Sequence, residues 1–238
     1  MKCKQCGNNY KNISLHWNKS SCNYPEISEK QKEIITGVLM GDGYINKAGN
    51  PSICVTNTNR KYLEYLDSEL TFLSSKISRK ATAEESARHA RKTGLSENAS
   101  EENYSDLYVL NGRKHPELSN FEKWYESGEK KFPEIKLTPK ILKHWFCCDG
   151  TWHNTNNNNY IAIGLSNERA EKEKVGKMFD STPVEIARWN EHKRKNGAGK
   201  VNCIIEFSVE DSKKVWKWMG NPPKGFEYKW PDKYIYKD

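Results

Sequence analysis

Two aspartates stand where an apolar run breaks into glycine: Asp42 in GVLMGDG, residues 37–43, and Asp149 in HWFCCDG, residues 144–150. A lone carboxylate at the end of a buried helix is costly to desolvate, whereas two facing each other make a seat for a hard divalent cation. Such an ion acts as a Lewis acid and lowers the pKa of a bound water, so a pair of this kind is suited to metal-assisted hydrolysis. A second ligand set opens the chain. Cys3, Cys6, His16 and Cys22 supply three thiols and one imidazole, a donor set suited to one tetrahedral zinc, and Gly7 permits the tight turn after the first pair. Lys2, Lys4, Lys11 and Lys19 make this stretch basic, which suits phosphate contact.

The elements that would position the two acids occur in the same order twice. Ser28 can cap a helix with Gln31 in the capping-box place, and Ile34, Ile35, Val38 and Leu39 form its apolar face. Asp42 ends it; Tyr44-Ile45, a turn at NKAGNP and SICVT predict a hairpin. Leu63, Leu66, Leu70 and Leu73 then follow at helical spacing. In the second copy Thr138 caps, Pro139 occupies the first turn and KILKHWFCC is apolar. Asp149 ends that helix, a hairpin runs through HNTNNNN into YIAIGLS, and Val175, Met178 and Phe179 mark the next helix. Further strands are predicted in YSDLYVLNG, VEIARW and VNCIIEFSV, and further helices in PELSNFEKWYES and DSKKVWKWM. The polar stretch from Thr82 to Asn103 reads as an insertion with a helical start. This predicts an α+β fold of two pseudo-symmetric αββαββα halves with mixed or antiparallel sheets, preceded by a small zinc module. The expected boundaries are 1–24, 25–133 and 134–238.

A formal charge of +8 fits a polyanionic partner. No run approaches the roughly 20 apolar residues of a membrane span, and no signal-peptide core is visible, so an intracellular protein is expected. Seven cysteines, an odd number, read as metal ligands or buried thiols before disulfides.

The stretches ITGVLMGDG, residues 35–43, and LKHWFCCDG, residues 142–150, resemble the paired motifs of single-chain LAGLIDADG homing endonucleases. They depart from the motif where Met40 and Cys147 replace its inner acid, and where His144 stands opposite Gly37. The resemblance implies a monomer that acts as a pseudo-dimer, with its sheets forming a saddle on double-stranded DNA. It further implies Mg²⁺ or Mn²⁺ held by Asp42 and Asp149 with the backbone carbonyls of Gly41 and Cys148, and strand cuts leaving 3′-hydroxyl and 5′-phosphate ends. Lys130 or Lys131, and Lys200, resemble the family's lysines beside the active centre, and Asn57 and Asn167 match its supporting polar positions. Hairpin residues suited to DNA contact are Lys47, Asn154, Asn156, Asn158, Arg188, Lys193, Arg194 and Lys195.

Other readings use the same residues. A DNA- or RNA-binding regulator, or an intron maturase, would share this surface without cutting. A His-Asn-His nuclease built on His144, His153 and Asn154 is disfavoured because those residues fall on a buried helix and a hairpin. An intein is disfavoured because the sequence ends YIYKD, without a terminal His-Asn pair. The aromatic stretch from Trp216 to Tyr236 is expected to pack on the body, not to stack on bases.

Overall fold

The computed structural model describes the chain except residues 48, 95, 127, 156–157, 167–170, 194–200 and 236–238; at 155, 158, 166, 192–193 and 201–202 it describes the backbone alone. After a short helix α1 (Ile13–Lys19), the first half runs α2 (Glu29–Met40), β1 (Gly43–Asn46), β2 (Ser52–Asn57), α3 (Arg60–Leu70), β3 (Ser74–Ala81), α4 (Ala83–Lys92) and β4 (Leu107–Gly112). The second runs α5 (Pro139–Asp149), β5 (Gly150–Thr155), β6 (Asn158–Ser166), α6 (Lys172–Phe179), β7 (Arg188–Lys193), β8 (Val201–Glu206) and α7 (Val209–Met219). Each half builds one four-stranded sheet, ordered β1-β2-β4-β3 and β5-β6-β8-β7, with every described pairing antiparallel. Setting α4 aside, both halves follow one winding, as the repeated element order predicts.

The helices begin where their caps say they should. The Ser28 side chain accepts from the Gln31 amide while Gln31 reaches back to the cap, and Thr138 accepts from Ile141 N–H with Pro139 in the first turn. Among the described residues, α2 and α5 make the most extensive helix-helix contact, and one apolar core joins the two halves across it. In the first sheet Ile45, Ile53, Val55 and Leu110 point to this core. The alternate row Tyr44, Cys54, Asn111 and Lys76 therefore faces outward. In the second sheet Gly150, Ile163, Ile205 and Trp189 form a core row, and Thr151, Ala162, Glu206 and Arg188 an outward one.

Three local expectations need correction. PELSNFEKWYES forms a 3₁₀ segment, Pro116–Tyr125, instead of an α-helix. Its buried residues Leu118, Phe121 and Trp124 recur every third position, the period of the tighter helix. The strand read in VEIARW starts only at Arg188, because Val184 and Ile186 pack in coil after Pro183. Finally, β3 carries one apolar residue, Ile77, in SSKISRKA, too weak a signal to be singled out beforehand. The insertion does start as a helix, α4, and its Ala87 and Ala90 pack with Ala99 and Tyr104 in a small separate cluster.

Candidate active centre at the helix seam

Glycine on one helix lets the seam close. A Cβ on Gly37 would stand 2.6 Å from the Ile141 carbonyl oxygen and 2.7 Å from His144 Cβ; on Gly41 it would stand 2.2 Å from Cys148 Cβ. Gly37 and Gly41 on α2 thus receive His144 and Cys148 of α5. His144 is fully buried, and its Nδ1 shares a 2.8 Å hydrogen bond with the Tyr62 hydroxyl. Burial, helped by Lys143 and Lys140, pushes its pKa down to about 3, so the ring is neutral at ordinary pH and can be packed as an apolar filler. Sealed in the helix seam, His144 is out of reach of a phosphate, and His153 stacks on Tyr160 on the outer sheet face, 4.7 Å between ring centres.

The close seam brings Asp42 and Asp149 together at its end. Burial first, and then the Asp149 charge, raise Asp42 to about 6, with the Asn57 amide, Lys130 and Lys229 acting in the opposite direction. Asn57 donates to Asp42 Oδ2 at 2.7 Å. Two acids that disfavour each other's charge in a partly dry site are a donor set that a divalent cation would relieve. Gly41 O accepts from Lys130 Nζ at 2.6 Å, and the same ammonium reaches Gly43 O at 2.8 Å. Lys131 is exposed, and its backbone amide donates to Trp124 O. Of the two neighbouring lysines, Lys130 is therefore the one at the centre.

Its counterpart in the second half is a lysine that sequence reasoning missed. Lys229 Nζ donates to Cys147 O at 2.8 Å and Gly150 O at 2.7 Å, closing the end of α5 as Lys130 closes the end of α2. Burial lowers its pKa, against the pull of Cys147, Cys148 and both aspartates. A partial signal existed: KFPE at 131–134 recurs as KWPD at 229–232, although the repeat aligns Lys229 with the exposed Lys131 and so marks the place only to within one residue of Lys130. Phe132 and Trp230 are both buried, Phe132 edge-on to Trp145 and Trp230 edge-on to Phe146, so each aromatic pins a lysine-bearing strap to α5. Most of the described aromatic tail packs on the body as expected, but Tyr228 is exposed and Tyr236 lies outside the described residues. Phe226 lies edge-on to Tyr62, and Gly225 O accepts from Asn59 of the first half.

The N-terminal ligands also converge. One donor atom from each of Cys3, Cys6, His16 and Cys22 lies within 4.8 Å of every other. Gly7 takes φ +76°, the left-handed turn that favours glycine, and its amide bonds back to Cys3 O. Tyr10 stacks on the His16 ring at 3.8 Å and sets its plane. The Cys6 amide, acting against burial, holds the Cys3 thiol down to about 6, which favours the thiolate that a soft metal needs.

The sequence model of the LAGLIDADG DNA endonuclease family matches residues 32–215. The chain belongs to the LAGLIDADG DNA endonuclease family. Its fold is that of the homing endonuclease I-WcaI bound to its DNA recognition sequence, with a TM-score of 0.63, 16% identity and 95% of each chain covered. I-DmoI in complex with DNA and Mn matches with a TM-score of 0.42 and 16% identity, over 79% of this chain and 94% of that one. No curated protein matches. No described helix is long and apolar enough to cross a membrane.

The described hairpin residues suited to DNA contact lie away from the seam. Arg188 is exposed on the outer face of the second sheet, 3.4 Å from Glu206. Lys47 is exposed beyond β1, over the Tyr125 ring at 4.8 Å. Asn154 is exposed opposite Asn159 near the end of the β5-β6 hairpin; Asn158 pairs with Thr155 there, and Lys193 with Val201. Asn156, Asn167, Arg194, Lys195 and Lys200 lie outside the described residues.

Proposed function

We propose that this chain is a site-specific endonuclease that cuts both strands of a DNA duplex, one strand in each half, leaving 3′-hydroxyl and 5′-phosphate ends. The observation that carries this reading is the delivery of Asp42 and Asp149 to one end of the α2-α5 seam, each beside its own half-buried lysine. Asp42 and Asp149, with the carbonyls of Gly41 and Cys148, would hold Mg²⁺ or Mn²⁺. Bound there, the cation supplies Lewis-acid polarisation of the phosphate and an activated water. Asn57 orients the Asp42 carboxylate, and Lys130 and Lys229 place fixed positive charge where the pentavalent phosphorane gathers negative charge. The outward rows of the two sheets face the duplex, with Arg188 and Lys47 among their contacts. The reading divides the chain into a zinc module at 1–24 and halves at 25–133 and 134–238, working as one monomer inside the cell.

Cleavage of supercoiled plasmid libraries in Mg²⁺, with Ca²⁺ as the contrasting ion, tests the reading. Wild type linearises plasmids carrying its site in Mg²⁺; Lys130→Met and Lys229→Met each slow one strand by about 10²–10³ and accumulate nicks. A Lys229→Met variant that cuts at the wild-type rate would make Lys229 a helix-capping residue and return Lys200 as the candidate. Binding without any metal-dependent cutting would favour a regulator or maturase.

The zinc module makes a separate expectation. Purified protein holds about one equivalent of zinc, which mercury reagents release. The Cys3→Ser, Cys6→Ser variant loses it, and Trp17, packed beside the ligands, changes its fluorescence. Full zinc content in that variant would refute the ligand assignment.

A further inference from the structure

We propose that the groove between α1 and the strand ends of the first sheet takes the sugar-phosphate backbone of duplex DNA, so that the N-terminal module lengthens the DNA-binding surface beyond the first half. The proposal rests on the DNA reading above and adds a second contact region to it.

The groove is lined by Lys11 and Asn18 of the module and by Asn50, Ser75, Arg113 and Lys114 of the first half, with no carboxylate along it. Other depressions on the surface carry acids, such as the one bordered by Glu134, Glu171 and Asp180. The groove also continues the sheet's outer face. Lys76 and Asn111 sit side by side in the outward row, and the adjoining residues Ser75 and Gly112 already line the groove. A backbone lying on the sheet would therefore run into it without crossing negative charge.

The module is docked firmly enough to serve as a wall. Ile13 and Trp17 bury one face of α1, with Trp17 edge-on to Phe72 at 6.1 Å. Tyr24 lies edge-on to His115 at 5.0 Å, and the His115 ring bonds to Pro25 O at 2.9 Å. On the opposite face Lys11, Leu15 and Asn18 are exposed. Leu15, 47% exposed beside a cation and an amide, is suited to packing on deoxyribose. Arg113 is held in place from the other side, its amide on Leu73 O and its guanidinium on Phe72 O.

Phosphate contacts reveal themselves as counterion release, at a slope of about 0.9 in log K against log salt for each contact. The experiment is fluorescence anisotropy with a random-sequence duplex in Ca²⁺ over a salt series, for wild type, a Lys11→Gln, Arg113→Gln, Lys114→Gln variant, and a Lys11→Glu, Asn18→Glu variant. The neutralised variant is expected to lose about two units of slope and roughly tenfold or more in affinity at low salt. The charge-reversal variant alters only exposed positions in and just before α1, so it reads the groove even where Arg113→Gln disturbs folding; it is expected to bind at least as weakly. Unchanged slope and affinity in a folded charge-reversal variant would overturn the proposal, while wild type that binds DNA and cuts in Mg²⁺ keeps the endonuclease reading intact. Wild type with no affinity for duplex DNA would overturn both.

Discussion

In Mg²⁺, Asp149→Asn and Asp42→Asn each lose double-strand cleavage by about 10³-fold or more, and whatever activity remains appears as nicked circles. The reason is geometric, because each acid stands at the end of one seam helix and neither half can complete the other's hydrolysis. Supercoiled-plasmid assays of both variants and their double form check this. Linearisation by Asp149→Asn at the wild-type rate would make α5 a packing helix and end the two-centre mechanism. The same substitutions have a stability signature in metal-free protein. Asp42 is raised from 3.8 to about 6, so between those values the folded chain keeps a proton that the unfolded chain has lost. Stability therefore falls as pH rises across that window, by up to about 3 kcal/mol at 1.36 kcal/mol per unit. Asp42→Asn should raise Tm at pH 7.5 and leave it unchanged near pH 4. Cation binding must displace that proton, so wild type should need more Mg²⁺ as the pH drops below about 6.

Gly41→Ala should destabilise the fold by about 3 kcal/mol, at the upper end of overpacking costs, and should also impair cleavage. The new methyl group would meet Cys148 Cβ and approach within 3.3 Å of Asp149 Oδ2, so it spreads the seam where the acids must converge. Adding Cys148→Gly should restore much of the stability, since it returns the space from the other side. Denaturant unfolding of the single and double variants reads the coupling; simple additivity would mean that the two residues do not share one contact.

The parts of this protein legible in its sequence are those where local chemistry and tertiary need agree. The Ser28-Gln31 box, the Thr138-Pro139 start and the Asp-Gly endings each state a helix boundary, and the structure places the boundaries there within a residue or two. The convergence of Cys3, Cys6, His16 and Cys22 was legible because a tetrahedral metal site demands few residue types at short range. Lys229 was not. Its partners are backbone carbonyls distant in sequence and any of many lysines could have reached them; the shared aromatic-proline stretch at 131–134 and 229–232 marks the neighbourhood but aligns Lys229 with the exposed Lys131. The 3₁₀ segment was missed for a similar reason, because a spacing of three also fits an α-helix over so short a run. Strand β3 lies at the edge of its sheet and carries too little apolar signal for either pattern.

The pairing of Gly37 with His144 and of Gly41 with Cys148 gives the two halves different, fitted faces. Two copies of the first half would set glycine against glycine and lose the side chains that fill this seam, and two copies of the second would drive His144 against His144. Each half is thus a poor mate for itself and a good one for the other. A fragment carrying either half alone lacks the face that complements its own. Once the faces were matched in this way the two sheets were free to diverge, and a DNA site read by two unlike sheets has no reason to be a palindrome.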